Sequence, residues 1–290
     1  MFSSFNPGHV GINISLREGL ELAERCGFGG FDAPLTTLHD EVLAHGAPAV
    51  RSLFIQHGLR LGGWNLPFVP YRVTEAEWRE WLWRLPPLLA TARAVGARRA
   101  GMWILPGSDE FAFDANFKFH VDRFRPVAEL LAAFGIRLGL EFIGPETARR
   151  GFKHPFVHSV GMITDLARAI GPNCGLLLDV WHWHCAGGVR EDLYGLMRDF
   201  IVHVHISDAP SGISRTDIED NRRKLPGATG VIDLDGFMQA LAAAGYDGPV
   251  TAEPFDSELS ALPAEEAAAR TARATRAAVA MAARAADRGA

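Results

Sequence analysis

Short apolar runs recur along the chain, each bounded by Gly, Pro or Asp, with longer amphipathic stretches between them. The runs are 9–14 (HVGINI), 29–33 (GGFDA), 59–66 (LRLGGWNL), 98–105 (RRAGMWIL), 137–143 (RLGLEFI), 174–181 (CGLLLDVW), 201–207 (IVHVHIS) and 248–255 (GPVTAEPF). Near-continuous apolar character is the mark of strands buried on both faces of a parallel sheet. Between the runs, Leu16–Arg25, Glu75–Ala94, Val121–Phe134, Val160–Ile170, Glu191–Phe200 and Leu234–Ala244 carry apolar residues at helical spacing. Pro86-Pro87 predicts a kink or a break in Glu75–Ala94. The Ala-, Arg- and Glu-rich stretch 260–290 predicts a last helix, frayed near Asp287–Ala290.

Strand followed by helix, repeated, favours a parallel sheet with right-handed crossovers. Eight such units in 290 residues fit a closed (β/α)8 TIM barrel, an α/β fold expected as a single domain over 1–290. The longest irregular segment, Asp208–Gly230, follows the seventh predicted strand. In a barrel it overhangs the C-terminal mouth, where a long loop serves as a lid.

Four runs end on a side chain that a buried strand tolerates only with a partner: Glu141, Asp179, His205 and Glu253. Side chains alternate along a strand, so Gly139 and Glu141 share one face, as do Leu177 and Asp179, His203 and His205, and Thr251 and Glu253. The barrel interior then presents all four at nearly one height. Three carboxylates and one imidazole are a hard donor set, suited to one Mn²⁺, Mg²⁺, Co²⁺ or Zn²⁺. Trp64, Trp103, Trp181, Trp183, Phe142 and Phe255 also fall at predicted strand ends. An aromatic face there suits the C–H face of a sugar, and Trp103 is a candidate substrate contact, although packing alone explains at least half of the six.

Composition narrows the partners. With 48% hydrophobic and 22% charged residues, the chain is an ordinary globular one. A net charge of −5 argues against a broad basic surface for nucleic acid. Cys26, Cys174 and Cys185 form no CxxC pair, as expected of free thiols in a reducing cytoplasm. No signal-peptide pattern and no uncharged 18-residue apolar stretch is present, so neither secretion nor a membrane span is expected. A homo-oligomer is compatible with all of this.

LEFIGPET (140–147), LLLDVWHWH (176–184), VHVHISDAP (202–210), LPGATGVID (225–233) and TAEPF (251–255) resemble the xylose isomerase-like TIM barrels, the superfamily of sugar isomerases, epimerases and endonuclease IV. The resemblance follows the whole strand order and looks closest to the sugar phosphate isomerase/epimerase group. It implies one divalent ion on Glu141, Asp179, His205 and Glu253, with Glu141 and Glu253 also as acid/base groups. It makes His182, in D-x-x-H after Asp179, a contact to substrate oxygen. His205 begins H-x-x-D with Asp208, which favours it over His203 as the ligand, and His203 is expected one layer deeper. Arg223, or its neighbour Arg222, would reach back from the lid over the substrate, and Glu146 is a further candidate there.

The implied activity is isomerisation or epimerisation of a sugar or sugar phosphate through a metal-stabilised enediolate. The same constellation permits a lyase or dehydratase acting on a keto-polyol or keto-glycoside. An abasic-site endonuclease is disfavoured, since Trp64 or Asn65 and Trp103 stand where it needs histidines. A metal-free binding barrel leaves the four donors unexplained.

Overall fold

The computed structural model describes residues 1–288. Its strands are β1 (Phe2–Phe5), β2 (Gly30–Phe31), β3 (Arg60–Leu61), β4 (Trp64–Asn65), β5 (Arg99–Ile104), β6 (Gly107–Ser108), β7 (Arg137–Phe142), β8 (His154–Pro155), β9 (Cys174–Asp179), β10 (Ile201–Ile206) and β11 (Pro249–Ala252). Strands β6 and β8 form a small antiparallel pair. The other nine pair in parallel in the order β3-β2-β1-β11-β10-β9-β7-β5-β4. Its two edges, β3 and β4, are halves of one stave separated only by Gly62-Gly63, so the sheet closes on itself as an eight-stave barrel.

The break at Gly62-Gly63 has a steric cause. A Cβ on Gly62 would lie 1.8 Å from Asp32 Oδ1, and one on Gly63 would lie 2.0 Å from His203 Nδ1. Only glycine lets the backbone pass this close to the two buried side chains. The freed Gly63 N–H donates to Asp32 Oδ1 at 2.9 Å.

The helices dock through their apolar stripes. Helix Leu16–Cys26 starts at a reciprocal Ser15/Glu18 capping box and stops at Gly27, whose φ of 77° is left-handed. It buries Leu16, Leu20, Leu22 and Ala23, each leucine worth about 1.5–3 kcal/mol. Helix Glu75–Val95 runs through Pro86 and Pro87 without the expected break. Each proline removes one N–H bond and crowds the preceding turn, and the full burial of Leu85 and Leu89 on either side offsets that cost.

Other expectations are corrected. The first strand is Phe2–Phe5, not 9–14. Ser3 and Ser4 interrupt the apolar signal, yet β1 pairs with both β2 and β11. Residues 7–10 form a 3-10 turn capped by Asn6. Helices Leu35–His45 and Ala47–Gln56 fill a stretch whose pattern predicted none. Glu191–Phe200 is not a helix. It forms two 3-10 turns, Arg190–Leu193 and Arg198–Phe200, with Gly195 at φ 82° between them. The helix expected from Val121 starts earlier, at Phe113. The last helix spans Ala264–Arg288, and the fraying expected near Asp287–Ala290 lies in part outside the described residues.

Candidate metal centre

Register brings the strand-end donors to one height. His205 on β10 is level with Asp179 on β9 and Thr251 on β11. Glu253 is two residues beyond Thr251, on the same face. Glu141 on β7 is level with Trp103 on β5. One donor atom from each of Glu141, Asp179, His205 and Glu253 lies within 4.8 Å of the others, and all four residues are buried. His205 Nδ1 stands 3.3 Å from Glu141 Oε1 and 3.5 Å from Glu253 Oε2.

These residues fit a divalent cation. Glu141 Oε1 and His205 Nδ1 are buried polar atoms with no hydrogen-bond partner. Native proteins seldom leave such atoms unpaired unless an ion or water serves them. Arg223 pairs with two of the three buried carboxylates, Asp179 and Glu253, and Glu141 has no guanidinium partner, so the cluster keeps an excess of negative charge. Burial raises the Glu141 carboxyl above its usual range. Burial would also raise Glu253, but His205, His9 and Arg223 outweigh it and hold that carboxyl well below. Burial would lower His205, but Glu253 and Glu141 push it well above.

Arg223 is the loop cation that enters the cluster. It is 2% exposed. Its Nη1 donates to Asp179 Oδ2 at 2.9 Å and to Glu253 Oε2 at 2.6 Å. Its Nη2 donates to Asp220 Oδ1 at 2.9 Å, and Asp220 also accepts from Trp181 Nε1 at 3.1 Å. Arg222 points outward and pairs with Glu219 at 3.8 Å. Asp208 does not reach His205. Its carboxylate accepts from the backbone N–H groups of Ala209, Thr229, Gly230 and Ile232, which closes the base of the loop.

The remaining candidates divide. His182 is buried on the short helix Val180–Cys185; its Nδ1 accepts from Gly144 N–H at 3.2 Å. Its Nε2 lies 3.8 Å from Asp179 and 3.3 Å from Arg223. Trp103 is half-buried, with Tyr71 against its edge and Arg72 over its face. Glu146 is not brought to the cluster: it sits on the short helix Glu146–Arg149 and pairs with Arg150 at 3.2 Å. Among the strand-end aromatics, Trp64, Trp181, Trp183 and Phe142 are buried in packing. Phe255 is 37% exposed, its ring over Arg223, and its φ of 35° is a rare strained value for a non-glycine residue. His203 lies one layer below, its Nε2 2.9 Å from Thr251 Oγ1. Thr251 Oγ1 in turn donates to Asp32 Oδ2 at 2.7 Å.

Sequence reasoning missed His9, whose Nε2 stands 3.2 Å from Glu253 Oε1 and whose ring meets His205 edge-on. It also missed Asp32 and Asp220. A small cleft opens beside the cluster, lined by Asn6, His9, Pro34, Asn65 and His205 among others. Buried carboxylates at a cation, beside such a cleft, can move a proton on a small polar molecule.

Known proteins share this architecture. An inosose isomerase of Bacillus velezensis is 26% identical over 268 residues, 90% of this chain and 91% of its own. A 3-dehydroshikimate dehydratase of Pseudomonas aeruginosa is 30% identical over 263 residues, 88% of this chain but 38% of that longer protein. A xylose isomerase domain protein of Alicyclobacillus acidocaldarius superposes with a TM-score of 0.84 at 31% identity, covering 97% of this chain and 99% of its own. An IOLI protein crystallised with a zinc atom shares the fold at a TM-score of 0.80 and 23% identity, covering 97% of this chain and 98% of its own. No helix among the described residues is long and apolar enough to cross a membrane. Residues 20–278 match the family model, and the chain belongs to the xylose isomerase-like TIM barrel family.

Proposed function

We propose that this chain is a divalent-metal-dependent isomerase or epimerase of a sugar, sugar phosphate or keto-polyol. The observation that carries the reading is the buried set Glu141, Asp179, His205 and Glu253, with donor atoms within 4.8 Å of one another. These four residues hold the ion. When bound, a divalent cation stabilises the negative charge that develops on a substrate carbonyl oxygen as the neighbouring carbon loses its proton. The donor set, three carboxylates and an imidazole, suits manganese among the candidate ions.

Glu141 and Glu253 move the proton. They stand on β7 and just past β11, with β9 and β10 between them, so they approach a substrate from different sides. Return of the proton to the opposite face gives an epimer; transfer to the adjacent carbon gives an isomer. His182, from its short helix, and Arg223, from the lid itself, orient substrate oxygens, and Trp103 and Phe255 cover the substrate's C–H face. The inosose isomerase relative supports a keto-inositol as the substrate class.

The second reading is loss of a β-hydroxyl after removal of the same proton. The dehydratase relative, at 30% identity over 263 residues, supports it. An NMR screen in D₂O, with metal supplied, decides between them. Ketoses and inososes that gain deuterium at carbon and keep every hydroxyl support the first reading; loss of a hydroxyl from a dehydroshikimate-type acid supports the second. Absence of both under every divalent ion overturns the enzyme assignment.

The acidic net charge of −5 supports small molecules, not nucleic acid, as partners. Three free cysteines support a cytoplasmic location.

A further inference from the structure

Opposite the cluster of Glu141, Asp179, His205 and Glu253, at the N-terminal ends of the staves, lies a second cleft. It is walled by Arg98, Arg99, Arg137 and Arg198, with Ile201, Val202 and Tyr246 as its apolar floor. We propose that this cleft binds the phosphate group of a phosphate-bearing small molecule, independently of the reaction centre at the other end of the barrel.

The charge distribution is the first argument. Four guanidiniums share one concavity with two carboxylates, Asp199 and Asp247, in a chain whose net charge is −5. Arg198 is already paired with Asp247 at 2.5 Å. No carboxylate among the described residues lies within 4 Å of Arg98, Arg99 or Arg137. The cleft therefore keeps an excess of unpaired positive charge.

Register is the second. Arg99 opens β5 and Arg137 opens β7, and the two are direct cross-strand partners. Like charges placed opposite each other on adjacent strands repel, and an anion between them removes that repulsion. Both are half-buried, and Arg137 is anchored by donation from Nε to Asn173 O at 3.3 Å. That bond leaves its terminal nitrogens for a ligand. Arg99 stands beside the Tyr246 hydroxyl, which itself donates to Pro249 O at 2.8 Å.

The chemistry is the third. A guanidinium is a planar fork with parallel N–H groups, matched to two oxygens of a phosphate. Several forks converging on one partly enclosed cleft fit a compact anion with several oxygens.

Calorimetric titration of the metal-loaded protein with inorganic phosphate tests this, with chloride at matched ionic strength as the control and citrate as a polycarboxylate probe. Saturable phosphate binding is expected, weakened about tenfold or more in Arg99→Gln and in Arg137→Gln. Arg98→Gln, at an exposed position, is expected to weaken it as well, and it decides the question if the other two variants do not fold. Phosphate that binds no better than chloride overturns the proposal. So does binding that every folded arginine variant retains at full strength, which would place the anion elsewhere, such as at the metal. Citrate binding more tightly than phosphate overturns the assignment of the phosphate group.

Discussion

Arg223 Nη1 stands 2.6 Å from Glu253 Oε2, deep inside the mouth. The same nitrogen reaches Asp179 Oδ2 at 2.9 Å. The arginine expected to lie over the substrate is thus also a counter-ion to two of the candidate metal ligands. In the proposed function, Arg223 and the metal would share the neutralisation of one buried carboxylate cluster.

This relationship predicts how the metal and Arg223 trade off. Arg223→Met keeps much of the volume and removes the charge. Without metal, it leaves buried carboxylates unpaired, a loss of about 3–5 kcal/mol. Added metal should restore part of that loss, so the metal-induced rise in Tm should exceed the wild-type rise. Thermal melts with chelator and with Mn²⁺ measure it. Arg222→Ala, at an exposed residue paired only at 3.8 Å, should melt like the wild type. A smaller metal-induced rise in the Arg223 variant would contradict the shared neutralisation.

Asp179→Asn removes an anionic donor that is 1% exposed. Loss of a group merely supporting a ligand typically costs 10–100-fold in affinity, and a ligand should cost about 100-fold or more. Metal analysis after dialysis gives the answer. Full metal content in this variant would remove Asp179 from the ligand set.

Glu141→Gln and Glu253→Gln should each lower turnover by about 10²–10⁴ through the acid/base role alone. Deuterium wash-in at the substrate carbon should vanish in the variant that lacks the base. Normal wash-in in both would move the base to another residue, with His9, 3.2 Å from Glu253, the first to examine.

The barrel was legible because its staves are short apolar runs, and Glu141, Asp179, His205 and Glu253 were legible because each ends one. His9 was not. Ser3 and Ser4 hide β1, so the apolar run 9–14 displaced it and put His9 at a strand start instead of beside Glu253 and His205. Asp32 escaped for a different reason. Its donors, Ser4 Oγ, Gly63 N–H and Thr251 Oγ1, come from three distant parts of the chain. Asp208 looked like a partner for His205 by spacing alone, but the N–H groups that it accepts from are set by how the loop folds back.

The glycine pair that breaks the third stave gives a stability prediction. Gly63→Ala drives a methyl to within 2.0 Å of His203 Nδ1. Both groups are buried, and the imidazole is held by its 2.9 Å contact with Thr251. Overpacking of this kind costs about 1–3 kcal/mol. Denaturant unfolding should show it, and Gly58→Ala, with open space around its Cβ, is the comparison, although its φ of 64° carries a strain of its own. A Gly63→Ala protein as stable as the wild type would mean that His203 can move aside.

His120 supplies the pH prediction, away from the metal. Its ring is 3% exposed among Tyr71, Phe124 and Phe156. Nδ1 faces the Asn116 carbonyl at 2.9 Å and donates to it, while the buried Nε2 has no partner. Burial therefore lowers its pKa from 6.5 to about 4. The unfolded chain binds a proton near pH 6.5, and the folded chain resists it until about pH 4. Stability from this residue is complete above pH 6.5 and falls as the pH drops toward 4, by about 3 kcal/mol in all. His120→Phe suits the aromatic surroundings and abolishes the titration. Its unfolding free energy should decline less steeply than the wild type's between pH 6.5 and 4, with the two curves parallel above that window. Parallel curves throughout would mean that His120 takes up its proton in the folded protein as readily as in the unfolded chain.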